Sequence, residues 1–370
     1  MQKFIARLFS RLMKSWSWVL LIILTIAIKW LSFYPEWVEK NYALGVYPVI
    51  SKTQRLLFGW IPFSLGDVFY AFLILVILFK TFQFFKLLFR KKLSRVYFIT
   101  GLQQLIFFFL FLYVVFNLLW GLNYNRSGIA AQLKLEVKPY AINDLDTLTG
   151  ILEDRLNRFS DSVNPSKRKL LKKKKNLFQE SFEAYKSAAI RFSFLKYKNL
   201  SVKPSIFSYA GNILGFQGYY NPFSGEGQVN TTIPAFLEPY VATHEMAHQL
   251  GYAKENEANF VAFLACRSSS SNEFRYSLYF NMYLYAIGEL YVRDSIKAKQ
   301  YQEKLSPQVI DDIKTLRSFY KKYKNPVEPV IMWFYGHYLK ANNQPAGKLT
   351  YDEVVLWMIA YYKKFGTESL

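Results

Sequence analysis

Residues 239–251 read PYVATHEMAHQLG. His244 and His248 stand at i and i+4, a spacing that on a helix puts both imidazoles on one face, able to fill two tetrahedral positions of one Zn²⁺. Glu245 follows the first histidine and can reach water activated by that ion without binding it, as a general base in metal-assisted hydrolysis must. Pro239 suits the first turn of such a helix and Gly251 its stop. The chain has three histidines, His244, His248 and His337, and this motif uses two of them.

Working outward, the next residues offer a third ligand in Glu255, Asn256, Glu257, Ala258, Asn259 and Phe260. A metzincin needs histidine where this chain has Lys254, so that subclass is excluded. Glutamate zincins take the ligand from a following helix with the pattern Glu-x-x-small-Asp, which Glu255, Ala258 and Asn259 fit with Asn in place of Asp. Glu255 and Glu257 lie about 200° apart on a helix and cannot both face one metal. The Glu255 face continues through Ala258, Asn259, Ala262 and Ala265, small enough for close approach to the histidine helix, so Glu255 is the preferred ligand and Glu257 the alternative. Asn259 then supports a histidine ring N–H.

Composition places this motif in a divided chain. The 370 residues are 52% apolar and 19% aromatic yet carry a formal charge of +21, too apolar for disorder and too unevenly charged for an ordinary cytosolic enzyme. Three apolar runs predict membrane spans at about 17–34, 61–79 and 98–122. No small-x-small cleavage site follows the first, which predicts a retained span rather than a signal peptide. Asp67, near one end of the second run, suits an interfacial carboxylate.

Basic residues flank these runs unevenly. Lys3, Arg7, Arg11 and Lys14 precede the first span, and Lys86, Arg90, Lys91, Lys92 and Arg95 separate the second from the third, with no acid in either flank. These flanks are expected in the cytoplasm and everything after Asn123 outside it, in a bacterial inner membrane. The expected fold is mainly α: a membrane domain at 1–122, then an α-rich, zincin-like α+β domain at 123–370 with a small sheet. Within that domain helices are expected over 145–159 and, without interruption, over 170–194, strands over 205–209 and 228–233, and helices from Pro239 onward, broken near Pro307, Pro326, Pro329 and the turn at 342–347.

The stretches NPFSGEGQVN (221–230), HEMAH, ENEANF (255–260), LGDVFY (65–70) and WGLNYNR (120–126) together resemble an uncharacterised family of bacterial three-span membrane proteins with a zincin-like domain. The metal motif is similar, more distantly, to the gluzincin metallopeptidases. That resemblance implies a sheet edge beside the histidine helix, for which residues 228–233 are the candidate, holding an extended peptide or protein substrate by strand addition. The leading expectation is a membrane-anchored zinc metallopeptidase. The competing class is a non-catalytic envelope module, its zinc structural or absent, binding a protein partner or anionic lipid.

Other features have plainer readings. Lys167 to Lys175 holds seven basic residues in nine, expected as a solvated helix face, and an extracytoplasmic position disfavours nucleic acid. Tyr276, Tyr279, Phe280, Tyr283 and Tyr291 have helical spacing and are expected to pack. Cys266, the only cysteine, rules out an intramolecular disulfide and is expected as a buried small hydrophobe. For stabilising an oxyanion, Tyr219, Tyr220, Tyr252 and His337 are equal candidates.

Overall fold

The protein's structure, a computed structural model, describes residues 15–342, 344 and 350–370, so the basic residues at positions 3, 7, 11 and 14 lie outside it, as does part of the expected turn at 342–347. The chain is mainly helical with one small sheet. Among the described residues two helices are long and apolar enough to cross a membrane, Leu65–Phe89 (α3) and Arg95–Leu119 (α4). Each begins at a serine whose side chain accepts a backbone N–H of the first turn, Ser64 from Asp67 and Ser94 from Tyr97. Both therefore start away from the predicted bounds. α3 also runs ten residues past the predicted end, because Lys80 and Lys86 interrupt an apolar run but not a helix.

The first predicted span is shorter than expected. Its helix, Ser15–Leu31 (α1), ends three residues before the predicted 34, and Pro35 restarts the chain at an angle of 102°. The segment from Pro35 to Phe58, including helix Tyr47–Phe58 (α2), then runs beneath the C-terminal domain. α1 and α4 pack side by side.

The C-terminal domain is built on helices Ile142–Ser162 (α5), Lys174–Arg191 (α6), Ser208–Leu214 (α7), Glu238–Gln249 (α8), Glu255–Ser268 (α9), Asn272–Arg293 (α10), Pro307–Tyr323 (α11), Val327–Ala341 (α12) and Thr350–Phe365 (α13). Further short helices, among them Ser295–Glu303, join them. The expected unbroken helix over 170–194 is instead two, Pro165–Leu171 and α6, parted at Lys172 and Lys173. Pro329 does not break α12 but lies in its first turn, where a missing N–H costs nothing. Leu145, Leu148, Leu152 and Leu156 of α5 are fully buried against α10, with Tyr276, Tyr279, Phe280 and Tyr283 in the same core; Tyr291 is exposed.

The sheet differs most from expectation. Its strands are Val202–Pro204 (β1), Gly218–Asn221 (β2) and Glu226–Val229 (β3), in the order β1-β3-β2. β3 pairs in parallel with β1 (Lys203 opposite Gln228) and antiparallel with β2 (Tyr219 opposite Gln228). The expected strand over 205–209 is a turn leading into α7, and the segment expected as an edge at 228–233 is central where it is strand at all. β2 is the edge on that side.

Candidate metal centre

The site begins with how α8 is held. Its interior is fully helical, and Gly251, at φ +88°, supplies the left-handed turn that stops it; a Cβ there would sit 2.8 Å from the Tyr47 ring. The last carbonyls of a helix lack partners within it. Here Trp120 Nε1 donates to the His248 carbonyl at 3.0 Å, while the Tyr47 hydroxyl (2.9 Å) and the Ser51 hydroxyl (2.7 Å) donate to that of Gln249. Trp120 closes α4 and the other two lie on α2, so segments adjoining the long apolar helices cap the histidine helix.

α9 then lies close along α8, with Ala258, Ala262 and Ala265 fully buried, and carries Glu255 to the histidines. His244 Nε2 stands 3.2 Å from Glu255 Oε2, and His248 Nε2 stands 3.8 Å from Glu255 Oε1. One ligand atom from each of the three lies within 4.8 Å of the others. An ion with tetrahedral bonds of about 2.0–2.1 Å sets its ligands about 3.4 Å apart, so the spacing suits zinc. The His248 Nδ1 approaches the Tyr252 carbonyl at 2.8 Å; a carbonyl only accepts, so Nδ1 carries the proton and the Nε2 lone pair faces Glu255.

Electrostatics agree with this donor set. Burial opposes ionisation of Glu255, yet the hydrogen bond and charge of His244 and the Tyr335 hydroxyl hold its carboxyl down to about 2. Burial likewise opposes charge on His244, but Glu255 outweighs it and raises the imidazole. His248 is pushed down by burial to about 4 and is a neutral donor. A buried carboxylate and two imidazoles thus favour a positive charge at one point, and the residues fit a zinc ion.

Glu245 lies beside this cluster, under the sheet. A Cβ on Gly218 of β2 would come within 2.4 Å of Glu245 Oε1, so the glycine leaves room for the carboxylate. Burial, opposed by His244 and aided by Glu255, pushes Glu245 up to about 8, and its Oε2 is buried with no hydrogen-bond partner. Such a group accepts a proton readily near neutrality.

The remaining predicted residues separate. Glu257 is not with the histidines: it is buried against Gly128, where a Cβ would strike its carboxylate, and burial raises its pKa. Asn259 accepts from the Tyr240 hydroxyl at 3.0 Å and stands beside His244. Tyr219 donates to Asp67, Tyr220 meets the Tyr47 hydroxyl at 3.5 Å, and Tyr252 donates to Gln132. His337 is exposed, its ring tilted at 45° against that of Trp333 with the centroids 4.0 Å apart. A tyrosine outside these candidates, Tyr335, reaches a candidate ligand with its hydroxyl, donating to Glu255 Oε1 at 2.7 Å. Nothing in the sequence near Tyr335 signals that role, since α12 arrives from 80 residues away.

Other expectations are amended. The basic run is not wholly solvated: Lys167 pairs with Glu273, Arg168 with Asp312 and Lys174 with Glu238. Asp67 is fully buried and accepts the Ile206 N–H at 2.8 Å, docking α3 onto the domain. Cys266 is buried as expected, beside the Thr243 hydroxyl.

Residues 42–359 match the model of a family described as "Protein of unknown function (DUF3810)". The chain belongs to this family. No curated protein and no solved structure matches it. Within the matched span fall both histidines of the motif, Glu245, Glu255, Gly218, Trp120 and Tyr335. Resemblance to an uncharacterised family therefore holds over most of the chain.

Proposed function

We propose that this protein is a membrane-anchored, zinc-dependent hydrolase of the glutamate-zincin type, acting on peptide bonds. The observation that carries the reading is the convergence of His244, His248 and Glu255 beside a buried, partnerless Glu245 oxygen. The three ligand residues hold Zn²⁺, which supplies Lewis acidity toward the scissile carbonyl and toward water. The chain does the rest. Glu245 takes the proton from the attacking water and delivers it to the leaving amine, and its raised pKa suits both transfers. Tyr335 orients Glu255, and Asn259 supports His244. An extended peptide pairs along β2, the edge strand that overlies Glu245, in place of the segment at 228–233.

The spans number three in this reading, with α1 crossing first, and the domain faces the outside of a bacterial inner membrane. Contacts support α3 and α4 crossing as a pair, because the segment after α1 and the domain after α4 must share one side to form the bonds of Tyr47 and Ser51 with Gln249, and the apolar length of α1 supplies the third crossing. Basic residues at the turn between α3 and α4 support the orientation.

The test compares wild type with Glu245→Gln, matched for fold and zinc content, on a broad peptide library. Loss of the base lowers hydrolysis by about 10² to 10⁴ while zinc stays bound. Equal cleavage by both proteins would remove Glu245 from the mechanism.

A further inference from the structure

Helix α12 presents an exposed apolar face, met among the described residues only at its Tyr338 end, by Tyr124. Val327, Val330, Ile331, Phe334 and Tyr338 fall within about 100° around its axis and all are exposed, with Trp333 exposed beside them. Phe334 is 61% and Trp333 56% exposed. The opposite side of the helix is engaged, with Gly336 and Leu339 buried and Tyr335 on Glu255. The apolar surface continues onto the neighbouring α7 through Ile206, Tyr209 and Ile213, all exposed, and Asn325 fastens the two by donating to the Ile213 carbonyl at 2.7 Å. A contiguous patch of this kind on a folded domain marks a contact surface.

We propose that the α7 and α12 face lies in the interfacial layer of the bilayer, extending the lipid-facing surface of α3. Continuity is the first reason. The patch adjoins the point where α3 leaves the domain: Asp67 accepts the Ile206 N–H at 2.8 Å, and Tyr70 stands near Tyr338. Directly beyond, α3 exposes Val68, Phe69, Phe72 and Leu75. Charge is the second. The exposed apolar side chains of the two helices include no ionised group, Glu328 being turned against the end of α7 at Gly215, while Lys321, Lys322 and Lys324 precede α12 and Lys340 lies in its last turn, all exposed. Aromatic and apolar side chains bounded by lysines are the signature of a helix lying on an anionic membrane. Length is the third. Fifteen residues span about 22 Å, too short to cross about 30 Å of hydrocarbon, so α12 lies along the surface and does not enter the core.

One consequence rests on the hydrolase reading, although the bilayer contact does not. Tyr335 reaches Glu255 from the inner side of α12, so the metal centre lies about one helix diameter, some 10 Å, from lipid, and its substrate arrives along the membrane surface.

The experiment uses the full chain in vesicles of phosphatidylcholine and phosphatidylglycerol. Nitroxide labels are placed singly at Val330→Cys, Phe334→Cys and Tyr338→Cys; Cys266 is buried and takes no label. Leu75→Cys on α3 and Ile190→Cys at the exposed end of α6 serve as references. Collisions with oxygen, which concentrates in hydrocarbon, are compared with collisions with a water-soluble nickel chelate. The α12 labels should favour oxygen as Leu75→Cys does, and Ile190→Cys should favour nickel. Nickel-dominated collisions on α12, or shielding from both reagents as under a protein partner, would overturn the proposal. The measurement reads neither metal nor activity, so its failure is distinct from failure of the hydrolase reading.

Discussion

Glu245 owes its position to a missing side chain. Gly218 faces it across a gap that a Cβ would reduce to 2.4 Å from Oε1, a separation carbon and oxygen do not hold. Gly218→Ala should therefore push the carboxylate aside and leave the three ligands in place. A displacement of about 1 Å commonly costs about 10² in rate, so hydrolysis per bound zinc should fall by roughly that factor. Steady-state assays paired with metal analysis check this, and unchanged activity in a folded variant would mean that Glu245 does not depend on this contact. The site residues legible in sequence are the local ones. His244, Glu245 and His248 share one turn of helix, and Glu255 follows in the same helical hairpin, so spacing alone brings them within reach. Gly218, Trp120 and Tyr335 come from distant segments whose approach no periodicity records.

Elements tie the centre to the membrane segment through a second network. Arg126, its side chain 1% exposed, forks onto Glu39 with bonds of 2.8 and 2.6 Å and reaches the Gly251 carbonyl at 3.1 Å, where α8 stops. Burial alone would raise the Glu39 carboxyl, but Arg126, the Gly128 N–H and Gln132 together lower it below 4.5. A carboxyl with a depressed folded pKa stabilises in full above its unfolded value and loses that contribution as pH falls through the folded one. Glu39→Gln should cost about 3 kcal/mol above that range, because it leaves a buried guanidinium without its charge partner. The difference from wild type should shrink below pH 4.5. Thermal midpoints in detergent across this range test the sign; a gap that widens in acid would contradict it. The helices were legible because their apolar faces recur with the helical period. The sheet was not, since β2 and β3 are four residues each, rich in glycine and polar side chains, and only Tyr220 and Val229 of them join the apolar cores while Gly218 and Gln228 meet Glu245 and Ser64.

At the scale of the molecule, the long apolar helices and the helices that follow them form one structure around α8. Glu226 of β3 accepts the Gly66 N–H at 2.7 Å and the Leu65 N–H at 3.3 Å, capping the N-terminus of α3, while α2 and Trp120 cap the C-terminus of α8. Apolar run length marked the membrane segments in the sequence, but the 102° bend at Pro35 and the passage of α2 beneath the domain depend on tertiary hydrogen bonds that run length does not record. The account stands or falls on whether this arrangement holds a metal. The most direct measurement is the zinc content of the full-length protein purified in detergent and dialysed against dilute zinc. It should carry about one zinc per chain, as a single tetrahedral site requires, keep it in Glu257→Gln and lose it in Glu255→Gln. A folded wild-type chain without bound zinc, or loss of zinc in Glu257→Gln with retention in Glu255→Gln, would contradict the account.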